Sequence, residues 1–411
     1  MAEAAALPAT SGRLLSLDVI RGVAVMGILL ANIPAFAFPE PAYFSPLAWG
    51  GTGPADVAAW LATFVFVEGK MRGLFSFLFG ASMLLVIDRA KAAGGSAARV
   101  HYSRMAVLFV LGMAHLYLVW WGDILAHYAL VGAVAFLFIR MEPRQLVAAG
   151  MAALLLSMVL GGIGLFAMIG AADGRDPALW ESFTRVFGAP SRASMMPEVE
   201  AMRGSWADQI AWRRSHASDP IAVLPAIGPE TLSAMLLGMA AFRSGFLTGA
   251  WERARYSRWA LVTLAIALPA YALLGIATIL SGFDQRWLYF GSIVASAPFR
   301  VLGVVGYAAL IILALRPGGW LTERIAAVGR AAFTNYLGTS VLVAAIFYGW
   351  GLGEFGSWSR AAIYAVPPMV FAIMLAWSKP WLTRFHYGPL EWLWRSLSRF
   401  EPAPLLRRRP G

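Results

Sequence analysis

The chain has 411 residues, of which 59% are hydrophobic and only 13% charged, and its formal net charge is +11. Because a soluble domain needs a more charged surface, this composition indicates a membrane protein and excludes disordered, collagenous and disulfide-scaffold classes. The absence of cysteine excludes thiolate catalysis, iron–sulfur clusters and cysteine zinc sites. No nucleic-acid partner is expected, because the basic residues lie mostly in short loops between apolar segments.

The apolar runs predict an all-α, polytopic transmembrane helix bundle with about 10 spans, since roughly 20 helical residues cross a ~30 Å hydrocarbon layer. The predicted spans are 19–38, 55–87, 104–121, 123–139, 145–170, 229–247, 258–281, 288–315, 328–350 and 361–378. The second run is too long for one straight crossing and is interrupted by glycines and charges between Glu68 and Gly73. It is therefore either one kinked helix or two segments that meet inside the bilayer.

The distribution of lysine and arginine predicts the orientation of the chain. If 55–87 crosses once, most basic residues fall on the side of the two termini, and the positive-inside rule places that side in the cytoplasm. The connections 34–54 and 171–228 then face out. Two crossings in 55–87 would move the N-terminal tail outside and leave every later loop as assigned.

This topology divides the chain into five predicted segments. They are a cytoplasmic tail (1–18), N-terminal transmembrane helices with the candidate site (19–170), an extracytoplasmic loop or cap (171–228), C-terminal transmembrane helices (229–378) and a basic cytoplasmic tail (379–411). Within the loop, the stretch 198–216 is either a helix on the outer leaflet or part of a globular cap over a site. The arginines that end the chain predict attraction to anionic lipid headgroups, so membrane lipids are expected partners.

The stretch GMAHLYLVWWGDILAHYALVG holds the most informative polar residues. His115 lies in an apolar span, where a polar side chain is costly unless it faces the protein interior or water. Trp120 and Trp121 predict a membrane interface just before Asp123, which opens the next span with His127 four residues on. A carboxylate beside an imidazole fixes its tautomer and strengthens it as a general base. Asp123 could equally only cap its helix, and His127 could bond lipid headgroups.

A second group of charges lies in EGKMRG. Glu68 and Arg72 stand four residues apart, which on a continuous helix predicts an ion pair at the kink. Lys70 points elsewhere. A cation at membrane depth beside glycines suggests a water-filled cleft, where Lys70 and Arg72 could bind a phosphate or carboxylate of a ligand.

Several other polar residues are predicted to hold helices together. Asp18 and Arg21 form an anchor at the start of the first span, and Asn32 bonds another helix. Asn335 and Tyr336 are interpreted as contacts between helices, with ligand contact as the alternative. Arg300, His386 and Glu391 are weaker candidates for such roles.

The order of these motifs resembles the YeiB-like family of bacterial inner-membrane proteins of unknown function, over nearly the whole chain. The resemblance rests on SLDVIRGVAVMGILLANI, EGKMRGLFSFLFGAS, GMAHLYLVWWGDILAHYALVG and AVGRAAFTNYL with the downstream GPLEWLW. It implies a bacterial inner-membrane location. The motif positions that it implies are Asp18, Arg21, Gly22, Asn32, Glu68, Gly69, Lys70, Arg72, Phe75, His115, Gly122, Asp123, Tyr128, Gly329, Arg330, Asn335 and Tyr336. His127 does not match the pattern.

More distantly, the DxxRG opening and the later W-x-G followed by Ala-Asp are similar to the lysosomal heparan-α-glucosaminide N-acetyltransferase and to transmembrane acyltransferases. That resemblance implies transfer of an acyl group from cytoplasmic acyl-CoA to a sugar on the far side. One position departs from it, because Pro46 stands where that family has its active histidine. Since 34–54 contains no histidine, His115 would have to supply the base from a different helix.

The sequence thus predicts a membrane acyltransferase with acyl-CoA as co-substrate, no bound cofactor or metal, and a small-molecule or glycan acceptor. His115 and Asp123 are the predicted catalytic residues. The predicted substrate or donor contacts are Glu68, Lys70, Arg72, Asn32, Tyr128, Arg330 and Asn335. The alternatives are a secondary transporter or flippase, in which the same charges line a path, and a non-catalytic scaffold. Donor, acceptor and oligomeric state stay open.

Overall fold

A computed structural model describes residues 14–407. The predictions for 1–13 and 408–411, which include most of the N-terminal tail and the last two arginines, lie outside the described residues. Within them the chain is helical, and the one β-type contact is an isolated bridge between Phe385 and Leu406. The predicted all-α fold class is confirmed.

The helices follow one another through short connections. In chain order they are α1 Leu15–Ala37, α2 Pro54–Phe66, α3 Lys70–Ala92, α4 Ala97–Leu118, α5 Leu125–Ala135, α6 Pro143–Gly170, α7 Pro177–Phe187, α8 Arg192–Arg203, α9 Trp206–His216, α10 Leu224–Arg243, α11 Arg253–Leu280, α12 Gln285–Tyr289, α13 Ala297–Ala314, α14 Trp320–Arg330, α15 Ala332–Phe347, α16 Arg360–Ile363, α17 Val366–Arg384 and α18 Pro389–Arg399.

Seven helical stretches of the described chain are long and apolar enough to cross a membrane, which fits a multi-pass membrane protein. Two shorter apolar helices, Leu125–Phe138 and Ala332–Phe347, add to them. The prediction of about ten spans is therefore approximate. One predicted span, 328–350, is broken between α14 and α15 at Ala331, whereas 288–315 passes from α12 through a π-helical stretch, Phe290–Ala295, into α13.

The long run 55–87 forms two helices, α2 and α3, on either side of a break. Gly69 lies there with φ +67°, a conformation that glycine adopts without a steric penalty. The 13 residues of α2 cover about 20 Å and are too short to cross a bilayer alone, whereas the 23 residues of α3 are sufficient. Helix α3 runs antiparallel to α1, since Arg21 donates to Ser82 at 2.8 Å while Gly27 packs on Met71. This arrangement favours a single return crossing.

The segment 171–228 folds into α7, α8 and α9, and it packs onto one end of the bundle. Trp206 and Arg213 of α9 donate to the carbonyl oxygens of Leu118 and Tyr117, at 2.7 and 2.8 Å, and so satisfy the end of α4. The stretch 198–216 is not one helix, because the chain breaks after α8 and restarts with a capping box at the start of α9. We refer to this three-helix segment, 171–228, as the cap.

The C-terminal segment also packs against the bundle. Helix α18 lies along α4, where Ser103 donates to the carbonyl oxygen of Ser398 at 2.9 Å and Trp394 donates to that of Arg104 at 3.0 Å. The region predicted as a basic tail from residue 379 thus continues α17 to Arg384 and adds a further helix. The largest apolar core lies among α1, α4, α5, α8, α15 and α17, towards the cap.

Candidate functional site

The predicted histidine–carboxylate pair exists between α4 and α5. His115 Nδ1 lies 2.8 Å from Asp123 Oδ1, and their side chains are only 2% and 1% exposed. The second carboxylate oxygen of Asp123 accepts a hydrogen bond from the backbone N–H of Ala126 at 2.9 Å. Asp123 therefore does both things predicted for it: it caps the start of α5 and orients the imidazole.

A glycine makes this contact possible. Gly112 lies three residues before His115 on α4, and a Cβ added there would lie 2.3 Å from the backbone nitrogen of Ala126 and 3.0 Å from Asp123 Oδ2. Only glycine lets α4 approach the start of α5 this closely. Two local features therefore bring the carboxylate of Asp123 to the imidazole of His115: the glycine at 112 and the short connection between α4 and α5.

The outer nitrogen of the imidazole is buried without a partner. With Nδ1–H donating to Asp123, Nε2 of His115 is a proton acceptor, and it has no hydrogen-bond partner within residues 14–407. The ring of Tyr336 lies 5.6 Å from the imidazole, centroid to centroid. The hydroxyl of Tyr336 is likewise buried, and its oxygen lies next to the backbone of Ile124. A proton acceptor and a buried hydroxyl thus stand side by side.

Of the two tryptophans that the sequence predicted to mark a membrane interface, Trp120 is buried inside the protein and Trp121 is partly exposed. Trp120 is 2% exposed, stacks on Phe36 at 4.0 Å between ring centroids, and donates to the carbonyl oxygen of Ala35. Gly122 packs on the face of the same indole. Trp120 is a core residue beneath the cap, and it closes the site on that side.

A cavity of about 280 Å³ lies between α1, α3, α4, α5, α15 and α18. Its wall is mainly apolar, with Phe75, Phe79, Leu108 and Trp394 among the lining residues. Its polar lining residues are Arg21, Ser82, His101, Arg104, Tyr128, Arg330, Tyr336 and Glu391. Tyr336 is thus shared: it forms part of this wall and contacts the imidazole of His115.

The cation of Lys70 does not face this cavity. Its side chain is fully buried, Nζ lies 3.0 Å from the centroid of the Tyr271 ring, and it donates at 3.2 Å to the carbonyl oxygens of Phe64 and Glu68. The carboxylate of Glu68 accepts a hydrogen bond from Tyr43 at 3.3 Å. These contacts tie the α2–α3 break to α11 and to the segment that follows α1.

Arg72 pairs with a carboxylate that the sequence did not suggest. The predicted Glu68–Arg72 ion pair is wrong, because Glu68 precedes the break at Gly69 and so does not share the helix face of Arg72. Instead Glu230 of α10 accepts from Arg72 at 3.2 Å and, through its other oxygen, from Arg300 of α13. Glu230 is the second residue of the predicted span 229–247, and Arg300 gave only a weak signal within the predicted span 288–315. A carboxylate and a guanidinium group inside two predicted spans could have prompted a search for an ion pair between them.

The start of α5 connects the two polar groups. Tyr128 donates to the carbonyl oxygen of Arg72 at 3.2 Å and takes part in a hydrogen bond with Ser76 at 2.9 Å. His127 Nε2 lies 2.9 Å from Thr231 Oγ1, one residue beyond Glu230. His127 is therefore buried in the bundle and does not face lipid headgroups.

The remaining candidate residues serve the contacts between helices. Asn335 donates to Val328 and Ser378, both at 3.1 Å, as expected for a residue that joins helices. Asp18 and Arg21 form the expected ion pair at 3.2 Å. Asn32 lies half-buried on α1. Arg330 lines the cavity, so among the predicted ligand contacts it and Tyr128 lie where a bound molecule would meet them.

The fold and this site define a polytopic α-helical protein with a buried histidine–aspartate pair next to an internal cavity. Residues 241–401 match the family model described as "Protein of unknown function (DUF418)". The chain is 31% identical to "Uncharacterized protein YeiB" of Escherichia coli K12, over 96% of this chain and 99% of that protein. It is 30% identical to "Uncharacterized protein YxaH" of Bacillus subtilis 168, over 97% of each chain. The chain belongs to the YeiB-like family, as its motifs predicted.

Proposed function

We propose that this protein is a membrane acyltransferase that moves an acyl group from a cytoplasmic thioester donor to a hydroxyl of an extracytoplasmic glycan or envelope metabolite. The observation that carries the proposal is the His115–Asp123 pair, in which Asp123 holds Nδ1 and leaves Nε2 buried and without a partner. A general base in a protein interior has this arrangement. His127 also has one buried nitrogen without a partner, Nδ1, but its other nitrogen meets the hydroxyl of Thr231, so the carboxylate partner is what distinguishes His115.

The chemistry needs one proton acceptor and one hydrogen-bond donor. Nε2 of His115 takes the proton of the acceptor hydroxyl as its oxygen attacks the thioester carbonyl. The C–O bond forms, the C–S bond breaks, and the thiolate leaves and takes the proton from the imidazolium to become the free thiol. The imidazolium is stabilised by the carboxylate of Asp123. The hydroxyl of Tyr336 is available to donate to the carbonyl oxygen as negative charge develops there.

The proposal also needs the donor and acceptor on opposite sides. We propose a bacterial inner-membrane location with both termini in the cytoplasm, supported by the seven apolar helices and by the distribution of arginine and lysine. Because the chain has no cysteine, single-cysteine labelling is free of background. Leu47→Cys and Glu200→Cys should react with a membrane-impermeant maleimide in intact cells, and Gly95→Cys only after lysis. The reverse pattern would contradict this orientation.

A purified-protein assay tests the reaction itself. Wild-type protein should release CoA thiol from acetyl-CoA in the presence of an envelope extract, and His115→Gln should reduce the rate at least 100-fold, within the range of general-base contributions. His127→Gln is the matched control, because His127 is a buried histidine of α5 that bonds Thr231. No thiol release by the wild type, or equal rates for the two variants, would refute the proposal.

A second candidate, transport of a small anionic or lipid-linked substrate, is favoured by one observation. Arg72, Glu230 and Arg300 form a charged group among α3, α10 and α13, with Arg300 buried and the other two partly buried, and such groups mark translocation paths in transporters. Accumulation of a substrate in sealed vesicles that depends on a proton or sodium gradient, without covalent change, would select this function. Thiol release that depends on His115 would exclude it as the main activity.

A further inference from the structure

The cavity and the catalytic pair lie along one face of α4. Arg104 and Leu108 line the cavity, and His115 follows Arg104 by 11 residues. Eleven residues make about three full turns, so Arg104 and His115 project from the same side of the helix. Gly112, between them, faces the start of α5. A molecule in the cavity that extends towards the cap would therefore run along this stripe from Arg104 to the imidazole.

The end of the cavity near the start of α4 carries positive charge. Arg21, Arg104 and Arg330 are among the lining residues, and Glu391 is the one carboxylate of the described lining. That carboxylate accepts hydrogen bonds from the backbone and hydroxyl groups of residues 333 and 334, so it is committed to the start of α15. Arg21 also pairs with Asp18 at 3.2 Å, and Arg104 lies over the ring of Trp394. Three guanidinium groups in the lining of a mainly apolar cavity favour a phosphate-bearing ligand.

The distance between this cationic end and the base limits the ligand. Eleven residues of helix cover about 16 Å between Arg104 and His115. In a phospholipid the ester carbonyls lie only a few bonds from the phosphate, so a phospholipid held at the arginines cannot present a carbonyl to the imidazole. The donor must carry its carbonyl on a long arm.

A phosphopantetheine arm has the required length. Twelve bonds separate its phosphate ester oxygen from its sulfur, which equals four residues of peptide chain and extends to roughly 14 Å. Its methylene and dimethyl groups suit the mainly apolar lining of the cavity, and its amide groups can bond the few polar side chains there. A cavity of about 280 Å³ leaves little space for a long acyl chain in addition to the arm.

We propose that this cavity is the donor site, and that it binds the phosphopantetheine arm of a short-chain acyl thioester with its phosphate at Arg21, Arg104 and Arg330. The thioester reaches the wall formed by Tyr336, beside His115. This inference rests on the proposed acyl-transfer function and deepens it. It replaces Lys70 and Arg72, which do not line the cavity, as the groups that neutralise the donor phosphate.

Binding to the purified full-length protein in detergent, measured by isothermal titration calorimetry, tests the ligand class. CoA and 4′-phosphopantetheine should bind at least tenfold more tightly than pantetheine, which lacks the phosphate. Lysophosphatidic acid should neither bind as tightly as CoA nor displace it. Equal affinity for pantetheine and phosphopantetheine, or displacement of CoA by lysophosphatidic acid at equal concentration, would overturn the proposal. Binding of a holo acyl carrier protein but not CoA would support it and assign the arm to a protein carrier.

Variants on α4 test the location. Arg104→Gln should weaken CoA binding at least tenfold, and Leu108→Trp, which fills the cavity, should abolish it. Arg99→Gln and Val110→Trp are the matched controls: both residues lie on the same helix, both are exposed, and neither lines the cavity. Unchanged CoA binding by both cavity variants would overturn the proposal. Arg104→Gln removes a charge and Leu108→Trp adds bulk. If one of the two variants does not fold, the other still tests where CoA binds.

The two hypotheses fail in different ways. If CoA binds as described but no thiol is released from acetyl-CoA, the acyltransferase function is wrong and the cavity is a phosphopantetheine site of another kind. If thiol release requires His115 but is unaffected by Arg104→Gln and Leu108→Trp, the function stands and the donor site is elsewhere.

Discussion

The contact between α4 and α5 depends on Gly112, and Gly112→Ala tests it. A Cβ there would lie 2.3 Å from the backbone nitrogen of Ala126, whereas non-bonded heavy atoms are comfortable at about 3.5 Å. The start of α5 must therefore move back by roughly 1 Å. This shift would stretch the bond of 2.8 Å between His115 and Asp123 beyond hydrogen-bond range.

The expected cost follows from two opposing effects. Overpacking costs about 1–3 kcal/mol, and replacing a helical glycine by alanine returns about 0.5–1 kcal/mol. We therefore expect the free energy of unfolding to fall by about 1–2 kcal/mol in denaturant titrations of detergent-solubilised protein. Gly162→Ala on α6 is the matched control, because a Cβ there meets open space. If Gly112→Ala is as stable as Gly162→Ala and releases thiol at the wild-type rate, the close contact does not support the catalytic pair.

Three other substitutions or conditions have defined outcomes. Glu230→Gln removes the carboxylate that pairs two guanidinium groups and should cost about 3–5 kcal/mol, so the yield of monodisperse protein on size exclusion should collapse; a normal yield would contradict the pairing. Asn335→Ala should lower the free energy of unfolding by about 1–2 kcal/mol without changing the rate of thiol release, since it joins helices; a loss of rate without a loss of stability would assign it to the site. Burial raises the pKa of Glu40 to about 7 and that of Glu198, which also faces Glu40, to about 8. Because both values exceed the ordinary value of 4.5, the attachment of the cap is strongest below pH 4.5 and weakens as the pH rises through 7 and 8. Amide exchange over 192–203, corrected for intrinsic rates, should therefore be faster at pH 9 than at pH 5, and equal protection would contradict this dependence.

The sequence predicted most reliably what depends on near neighbours. The apolar runs located the helices, and His115 and Asp123 could be paired because eight residues and one short connection separate them. Their motif order also identified the family. The ion pair predicted from the four-residue spacing of Glu68 and Arg72 does not form. Gly69 has a positive φ and interrupts the helix between them, so the two side chains do not lie on one helix face.

What the sequence could not predict depends on contacts between distant helices. Glu230 lies 158 residues from Arg72 and 70 from Arg300, and no local pattern reports such a pairing. The cations of the cavity come from three separate helices, and the sequence predicted one of them, Arg21, only as part of an anchor with Asp18. Apolar composition shows that helices cross a membrane, but it does not show which of them touch.

The central claim is that the buried imidazole of His115 activates an acceptor for acyl transfer. The most direct measurement is mass spectrometry of envelope glycans and lipids from a deletion strain complemented with wild-type protein, His115→Gln or His127→Gln. An acyl group missing from the deletion strain should return with the wild type and with His127→Gln, and stay absent with His115→Gln. Envelope acylation that is the same in all four strains would contradict the account.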